Sequence, residues 1–338
     1  MGDQITQLIQ ALRDGTGSLP ARKQLETMSK LPADDQAALR EAWPAIAVET
    51  RLHLLTVLAD VAESDIALDF GAVFRLALED NDEETRLAAL EGLWDDDDEA
   101  LAPRLIQLLN ADPSVAVRAA AAMNLGRFAM LGELEEIDPN TAGLVRDALL
   151  SVIRSPVEDT EVRRRALEAV SCMAGADITD LIRAAYREKD EQMTVSAVYA
   201  MGRSLDMTWA PFVRGELKNA RPEIRMEAAR AAGELDLSDA LPELLDMLYD
   251  PEAKVREAVI DALGSIGSER ALQVLGELAR STDEAIRYAA LDALEVARFN
   301  EDPLSPEVLS WLLDREAIDW DEEDEFNDEY DEDWDDEE

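Results

Sequence analysis

The chain has 338 residues, 47% of them apolar, and 76 acidic against 32 basic side chains leave a formal net charge of −44. That balance opposes non-specific binding to nucleic acid or anionic lipid and favours partners that are basic or neutral. A single cysteine, Cys172, excludes an internal disulfide and a zinc site built from several cysteines, and it fits a cytoplasmic location.

The opening stretch MGDQITQLIQALRDG has neither the basic start nor the long apolar run expected of a signal peptide or a membrane span. It sets Ile5, Leu8, Ile9 and Leu12 on one face of a helix predicted over residues 4–14, stopped by Gly15. Ser18-Leu-Pro opens a second predicted helix bearing Leu25, Met28 and Leu31. Residues 1–33 are read as a cap, because the first element of any stacked array would otherwise expose its apolar flank.

From residue 34 to residue 300 the chain repeats. Arg163, Thr194, Arg225, Arg256 and Arg287 follow one another at intervals of 31, and the same anchor recurs earlier as Arg51, Arg86 and Arg118 at less regular spacing. A period of this size indicates a stacked array of helix pairs. Three residues after the anchor stand Leu54, Ala89, Ala121, Ala166, Ala197, Ala228, Val259 and Ala290; seven after it stand Leu58, Leu93, Leu125, Val170, Met201, Ala232, Leu263 and Leu294. These columns share one helical face and form a buried stripe. Six after the anchor, Ala169, Ala200, Ala231, Ala262 and Ala293 are expected to let the second helix of a pair approach its own first helix. The first helices carry Leu39, Phe74, Ile106, Ile182, Val213, Leu244 and Leu275 twelve residues before the anchor, and three of them open on Pro103, Pro211 and Pro242. No segment sustains period-two alternation, so no sheet is expected.

Two stretches carry a resemblance: APRLIQLLNADPSVAVRAAAAMNLG at 102–126 and LPELLDMLYDPEAKVREAVIDALGSIG at 241–267. Their Asp-Pro turn, Val-Arg pair and alanine-rich second helix resemble HEAT repeats, particularly the short bacterial kind also found in phycobilin lyases. The resemblance covers roughly residues 36–300 and implies an all-α, right-handed α-solenoid of about eight helix pairs. It also implies that the turn aspartate pairs with the anchor arginine of a neighbouring unit. Asp80, Asp112 and Asp250 match that pattern, whereas Val157, Glu188, Asn219 and Ser281 depart from it, so an interrupted ladder is expected.

The 45-residue interval between Arg118 and Arg163 is read as an insertion, Ala129 to Gly143, forming a surface loop between repeats. Trp94 followed by DDDDE is read as a solvated turn. Ser305-Pro306-Glu307 starts a capping helix over residues 301–317, bearing Val308, Leu309, Trp311, Leu312 and Leu313. Residues 318–338 form a disordered tail: 15 of its last 20 residues are acidic and none is basic.

Two places in this sequence suit a partner. In the tail, Trp320, Phe326, Tyr330 and Trp334 interrupt the acidic run, which suits a flexible arm gripping a basic surface. On the second helices, the positions one and five after the anchor place Leu87, Met123, Val195, Tyr199, Met226 and Tyr288 among Glu91, Glu168 and Asp261. HEAT arrays generally line their concave side with this face. The basic trio Arg163, Arg164 and Arg165 is the obvious internal place for the tail to touch. His53 is read as a helix surface residue and Cys172, on a second helix, as an inert thiol; no cofactor or metal site is expected. The expected function is a non-enzymatic adaptor or scaffold, or else a chaperone-like protein, for a basic or amphipathic protein segment, with no direct nucleic-acid or membrane contact. The alternative, implied by family likeness alone, is an enzyme or enzyme subunit of the phycobilin lyase type.

Overall fold

The computed structural model describes residues 2–14 and 19–301, and all regular structure in them is helical. The chain divides into two compact units, residues 1–200 and 201–338. The first holds α1 (Gly2–Arg13), α2 (Arg22–Leu25), α3 (Ala33–Ala42), α4 (Val48–Ser64), α5 (Gly71–Ala77), α6 (Glu83–Glu91), α7 (Ala102–Ala111), α8 (Val115–Glu133), α9 (Pro139–Ile153), α10 (Thr160–Val170), α11 (Ala176–Arg187) and most of α12 (Glu191–Arg203). The second holds α13 (Ala210–Glu216), α14 (Pro222–Glu234), α15 (Leu241–Met247), α16 (Ala253–Ile266), α17 (Glu269–Leu278) and α18 (Glu284–Glu301).

Local chemistry sets the ends of these helices. Asp82 accepts a hydrogen bond from the Thr85 backbone N–H, Ser114 from Val117 and Asp159 from Glu161, each satisfying a donor that the first turn leaves open. Proline occupies the first turn of α7, α9, α13, α14 and α15. There the missing N–H costs nothing. Gly267 closes α16 at φ 58°, a left-handed conformation that glycine adopts without a Cβ penalty.

The repeat columns are the core. Every residue three after the anchor, from Leu54 to Ala290, is fully buried. The column seven after it is buried from Leu58 to Leu263, and only Leu294, on the last helix, is half-exposed. In the first helices, Leu39, Phe74, Ile182, Val213, Leu244 and Leu275 are buried, whereas Ile106 is displaced to a half-buried position by its fully buried neighbour Leu105.

The alanine column has a different purpose from the one expected of it. It faces the second helix of the preceding pair, and Ala169, Ala231, Ala262 and Ala293, though not Ala200, meet a glycine there. A Cβ built on Gly126 would lie 3.3 Å from Ala169 Cα, one on Gly202 2.8 Å from Ala231 Cα, one on Gly233 2.9 Å from Ala262 Cα and one on Gly264 2.6 Å from the Ala293 carbonyl oxygen. Each of these glycines stands eight residues after its anchor position. Glycine against alanine is therefore what brings α8 onto α10, α14 onto α16 and α16 onto α18.

Two further expectations are corrected. The segment after residue 18 is not one helix: α2 has 4 residues, a 3-10 turn covers Glu26–Met28, and Leu31 is buried from an extended segment. The extra residues between Arg118 and Arg163 are not a loop. They lengthen α8 to 19 residues and α9 to 15, leaving only 134–138 as connection. A run such as AMLG is helix-compatible, and Ala129, Leu131 and Ile137 are buried, so extending the hairpin removes apolar surface that a loop would leave in water.

Candidate protein-binding surface

Each helix pair presents a turn edge, where its first helix passes into its second, and a connection edge, where it passes to the next pair. At the turn edge the anchor arginine does two things. Arg86 donates through Nη1 to the carbonyls of Asp80 and Asn81 in its own turn, and through Nε and Nη2 to both oxygens of Asp112 in the next, at 2.8 and 2.9 Å. Arg225 does the same with Asn219, Ala220 and Asp250. Asp80, Asp112 and Asp250 in turn accept the backbone N–H two residues on, which fixes the turn that holds them. The Asp250 carboxyl is held below its usual range by the hydrogen bonds from Arg225.

The ladder runs further than the sequence suggests. Arg51 pairs with Asp80 at 2.9 Å, and Asp80 also accepts from Trp43 Nε1. Arg118 finds Glu158, beside the non-matching Val157, at 2.8 Å, and Arg163 finds Glu188 at 2.6 Å. The longer glutamate reaches where the aspartate is missing. Thr194 has no guanidinium to offer, and Arg256 bonds only the carbonyls of Asp250 and Pro251 in its own turn.

The face of the second helices is the surface on which the sequence places the binding residues. In the first unit, Leu87, Val195 and Tyr199 are half-buried, Glu91 is exposed, and Met123 is 54% exposed. Glu168 is half-buried and already engaged: it accepts from Ser196 Oγ and from Arg165 Nη1 at 2.9 Å, while the buried Arg164 reaches Ser196, Gln192 and Glu161. With Arg163 on Glu188, the basic trio is fully paired and is no open landing place. Three consecutive arginines read as a charged surface patch, and only the depth of Arg164 shows that one of them ties α10 to α12. In the second unit, Met226 is half-buried, Tyr288 is 57% exposed and Asp261 is exposed. Local burial and the like charges of Glu257 and Asp292 raise the Asp261 carboxyl above its usual range, against the pull of Arg230. Trp320, Phe326, Tyr330 and Trp334, and the helix expected over 301–317, lie outside the described residues.

At the connection edge the acidic run after Trp94 is an exposed turn, as expected, with Asp95, Asp97 and Asp98 open to solvent, but two of its carboxylates are also engaged: Arg75 binds Asp96 at 2.6 Å and Asp98 at 2.6 Å, and Asp98 caps the following turn through the Ala100 N–H. That backbone bond and Arg75 hold the Asp98 carboxyl below its usual range. Cys172 sits just past the end of α10, half-buried, with its sulfur 3.8 Å from the Ala169 carbonyl oxygen. His53 is exposed on α4. Among the described residues no group of His, Cys, Asp and Glu is arranged to hold a metal ion, and no helix is long and apolar enough to cross a membrane.

Stacked helix hairpins, joined through a buried stripe and an arginine ladder, define an α-solenoid repeat protein. The HEAT repeats family matches residues 72–148 and 210–295, one stretch in each unit, and the chain is a HEAT-repeat protein. Similar solved structures include an engineered protein (21% identity, 58% of this chain and 96% of that one, TM-score 0.39). A second is the CpcE and CpcF complex of phycocyanin lyase from Nostoc sp. PCC7120 (19% identity, 57% and 76%, TM-score 0.42). A third is Kap95p bound to RanGDP (14% identity, 86% and 46%, TM-score 0.47); the chain spans about half of that protein. No curated protein matches the chain.

Proposed function

We propose that the protein is a non-enzymatic cytoplasmic scaffold that binds a basic or amphipathic protein segment, using the second-helix face and the acidic-aromatic residues 318–338. The observation that supports this reading is the second-helix face of the second unit, where exposed Tyr288 stands one helical turn before Asp292, and the Asp261 carboxyl, raised chiefly by local burial, also feels the repulsion of Glu257 and Asp292, which Arg230 opposes. A cationic side chain arriving there would relieve that repulsion. Residues 1–33 and 301–317 are assigned as caps, and the burial of Ile5, Leu8, Ile9 and Leu12 against the first helices supports the former.

The reading is tested by affinity capture from cell extract with the full chain, a chain ending at Ile318, and a chain carrying Met226→Glu and Tyr288→Glu, each washed at low and high salt. A defined basic partner that is retained by the full chain, weakened by salt and lost from one of the two variants is the expected outcome. If the full chain retains no defined protein under either wash, the scaffold reading fails.

A further inference from the structure

The connection edge of the first unit carries a feature that neither the fold nor the second-helix face accounts for. Three large apolar side chains stand out from three successive connections: Ile66 at 98% exposure, Trp94 at 65% and Leu134 at 58%. None belongs to the buried columns, Trp94 standing eight after Arg86 where four later repeats have glycine, and none contributes to the core. Nine acidic residues and no basic one occupy these connections, at 65–70, 92–98 and 134–138. Arg75 neutralises Asp96 and Asp98, and Arg127 lies 3.6 Å from Asp97. Among the described residues, Asp65, Asp69, Asp95, Glu135 and Glu136 have no cationic partner.

The three connections are tied into one surface. The Asp138 N–H donates to Glu99 at 3.0 Å, joining the third to the second, and a Cβ on Gly71 would lie 3.4 Å from an Asp96 oxygen, which places the end of the first beside the second. A cleft of about 860 Å³ opens between the first two; Ile66, Phe70 and Leu93 supply its apolar wall and Asp69 and Asp95 its carboxylates. Lys30 and Arg40 also line it, the latter paired with Glu79.

Exposed apolar side chains ringed by unpaired carboxylates complement one kind of partner: a helix with an apolar stripe and a basic remainder. The spacing narrows it further. Neighbouring connections lie about one helix-packing distance apart, about 10 Å. A partner helix rises about 1.5 Å per residue, so about seven of its residues separate one contact from the next. Trp94, in the middle, offers both a broad apolar face and a ring on which lysine or arginine can stack.

We propose that this edge is the docking surface for a basic amphipathic helix whose apolar residues, recurring every seventh position over about four turns, seat on Ile66, Trp94 and Leu134. This rests on the scaffold reading and assigns it a surface other than the second-helix face.

The probe is a fluorescein-labelled synthetic peptide of 18 residues made of leucine and lysine, with leucines clustered on one helical face at heptad spacing. A second peptide has the same composition reshuffled so that no face is apolar. Anisotropy titrations compare the full chain with Ile66→Ser/Trp94→Ser/Leu134→Ser, with Met123→Ser/Tyr288→Ser, and with a chain ending at Ile318. The full chain is expected to bind the amphipathic peptide at least tenfold more tightly than the reshuffled one, and only the edge variant is expected to lose that preference. Retention of the preference by the edge variant overturns the proposal. Loss confined to the second-helix or truncated variant moves the docking site there and leaves the scaffold reading standing. Absence of any preference in the full chain removes the amphipathic-segment reading and this inference with it. All three substituted side chains are exposed, so the melting temperature should match that of the full chain; if it falls, Trp94→Ala alone decides, with a loss of at least threefold expected and an unchanged affinity overturning the proposal.

Discussion

The turn edge and the connection edge of the first unit are built from loops of similar acidity, and they use it in opposite ways. At the turns, Asp80, Asp112, Glu158 and Glu188 each receive an arginine from the preceding repeat, and the two aspartates are drawn out of water with it. At the connections, Asp65, Asp95 and Glu135 receive none and remain beside exposed Ile66, Trp94 and Leu134. At these two edges an acidic residue is therefore structural when an arginine reaches it, whether the anchor or Arg75, and open to solvent when none does.

The sharpest way to break this contrast is to remove a buried rung. In Arg86→Ala, the Asp112 carboxyl, 4% exposed in the intact pair, is left with no guanidinium against it. Breaking a buried pair in this way costs about 3–5 kcal/mol, and a chemical melt followed by circular dichroism should show that loss; a shift under 1 kcal/mol would mean the ladder is decorative. A smaller effect is expected from acid. The Asp250 carboxyl is depressed from its ordinary 3.8 by Arg225, so the stability it contributes is complete above that value and is lost as pH falls through its lower folded value. Asp250→Asn should flatten the pH dependence of melting of the second unit below about pH 4, and an unchanged slope would refute the assignment. The smallest effect belongs to the connection edge: Trp94→Ala should change stability by less than about 0.5 kcal/mol. A larger loss would make Trp94 a structural residue and erase the difference between the edges.

The fold was legible because burial imposes a period. A column such as Leu54 to Ala290 has to be apolar in every repeat, and that regularity survives single exceptions such as Ile106. Lateral relations were less visible. The alanines at 169, 231, 262 and 293 look like room for a neighbour, but which neighbour depends on the glycines at 126, 202, 233 and 264, most of them nearly a repeat-length away along the chain and close only in space. The ladder looked broken at Val157 because matching by position cannot register that Glu158, one residue along and one methylene longer, reaches Arg118 equally well. Glu168 looked like a free groove acid because nothing in a linear pattern marks Ser196 and Arg165 as its partners. Ile66 and Leu134 escaped notice for the opposite reason: an isolated apolar residue in a connection belongs to no column, and exposure is a property of the folded surface alone.

The glycine-to-alanine seam bears on how such a chain can gain or lose repeats. What must be copied is a junction, half of which lies on one second helix and half on the next, and neither half is useful without the other. A duplicated stretch from residue 222 to residue 252 would carry Ala231 and Gly233 together, so its new neighbours on both sides would meet the residue they already fit. A duplication that is not a whole repeat long would set an alanine against a residue other than glycine and force two backbones apart. The seam thus sets the length that a repeat exchange can take, a constraint on recombination written in van der Waals contact.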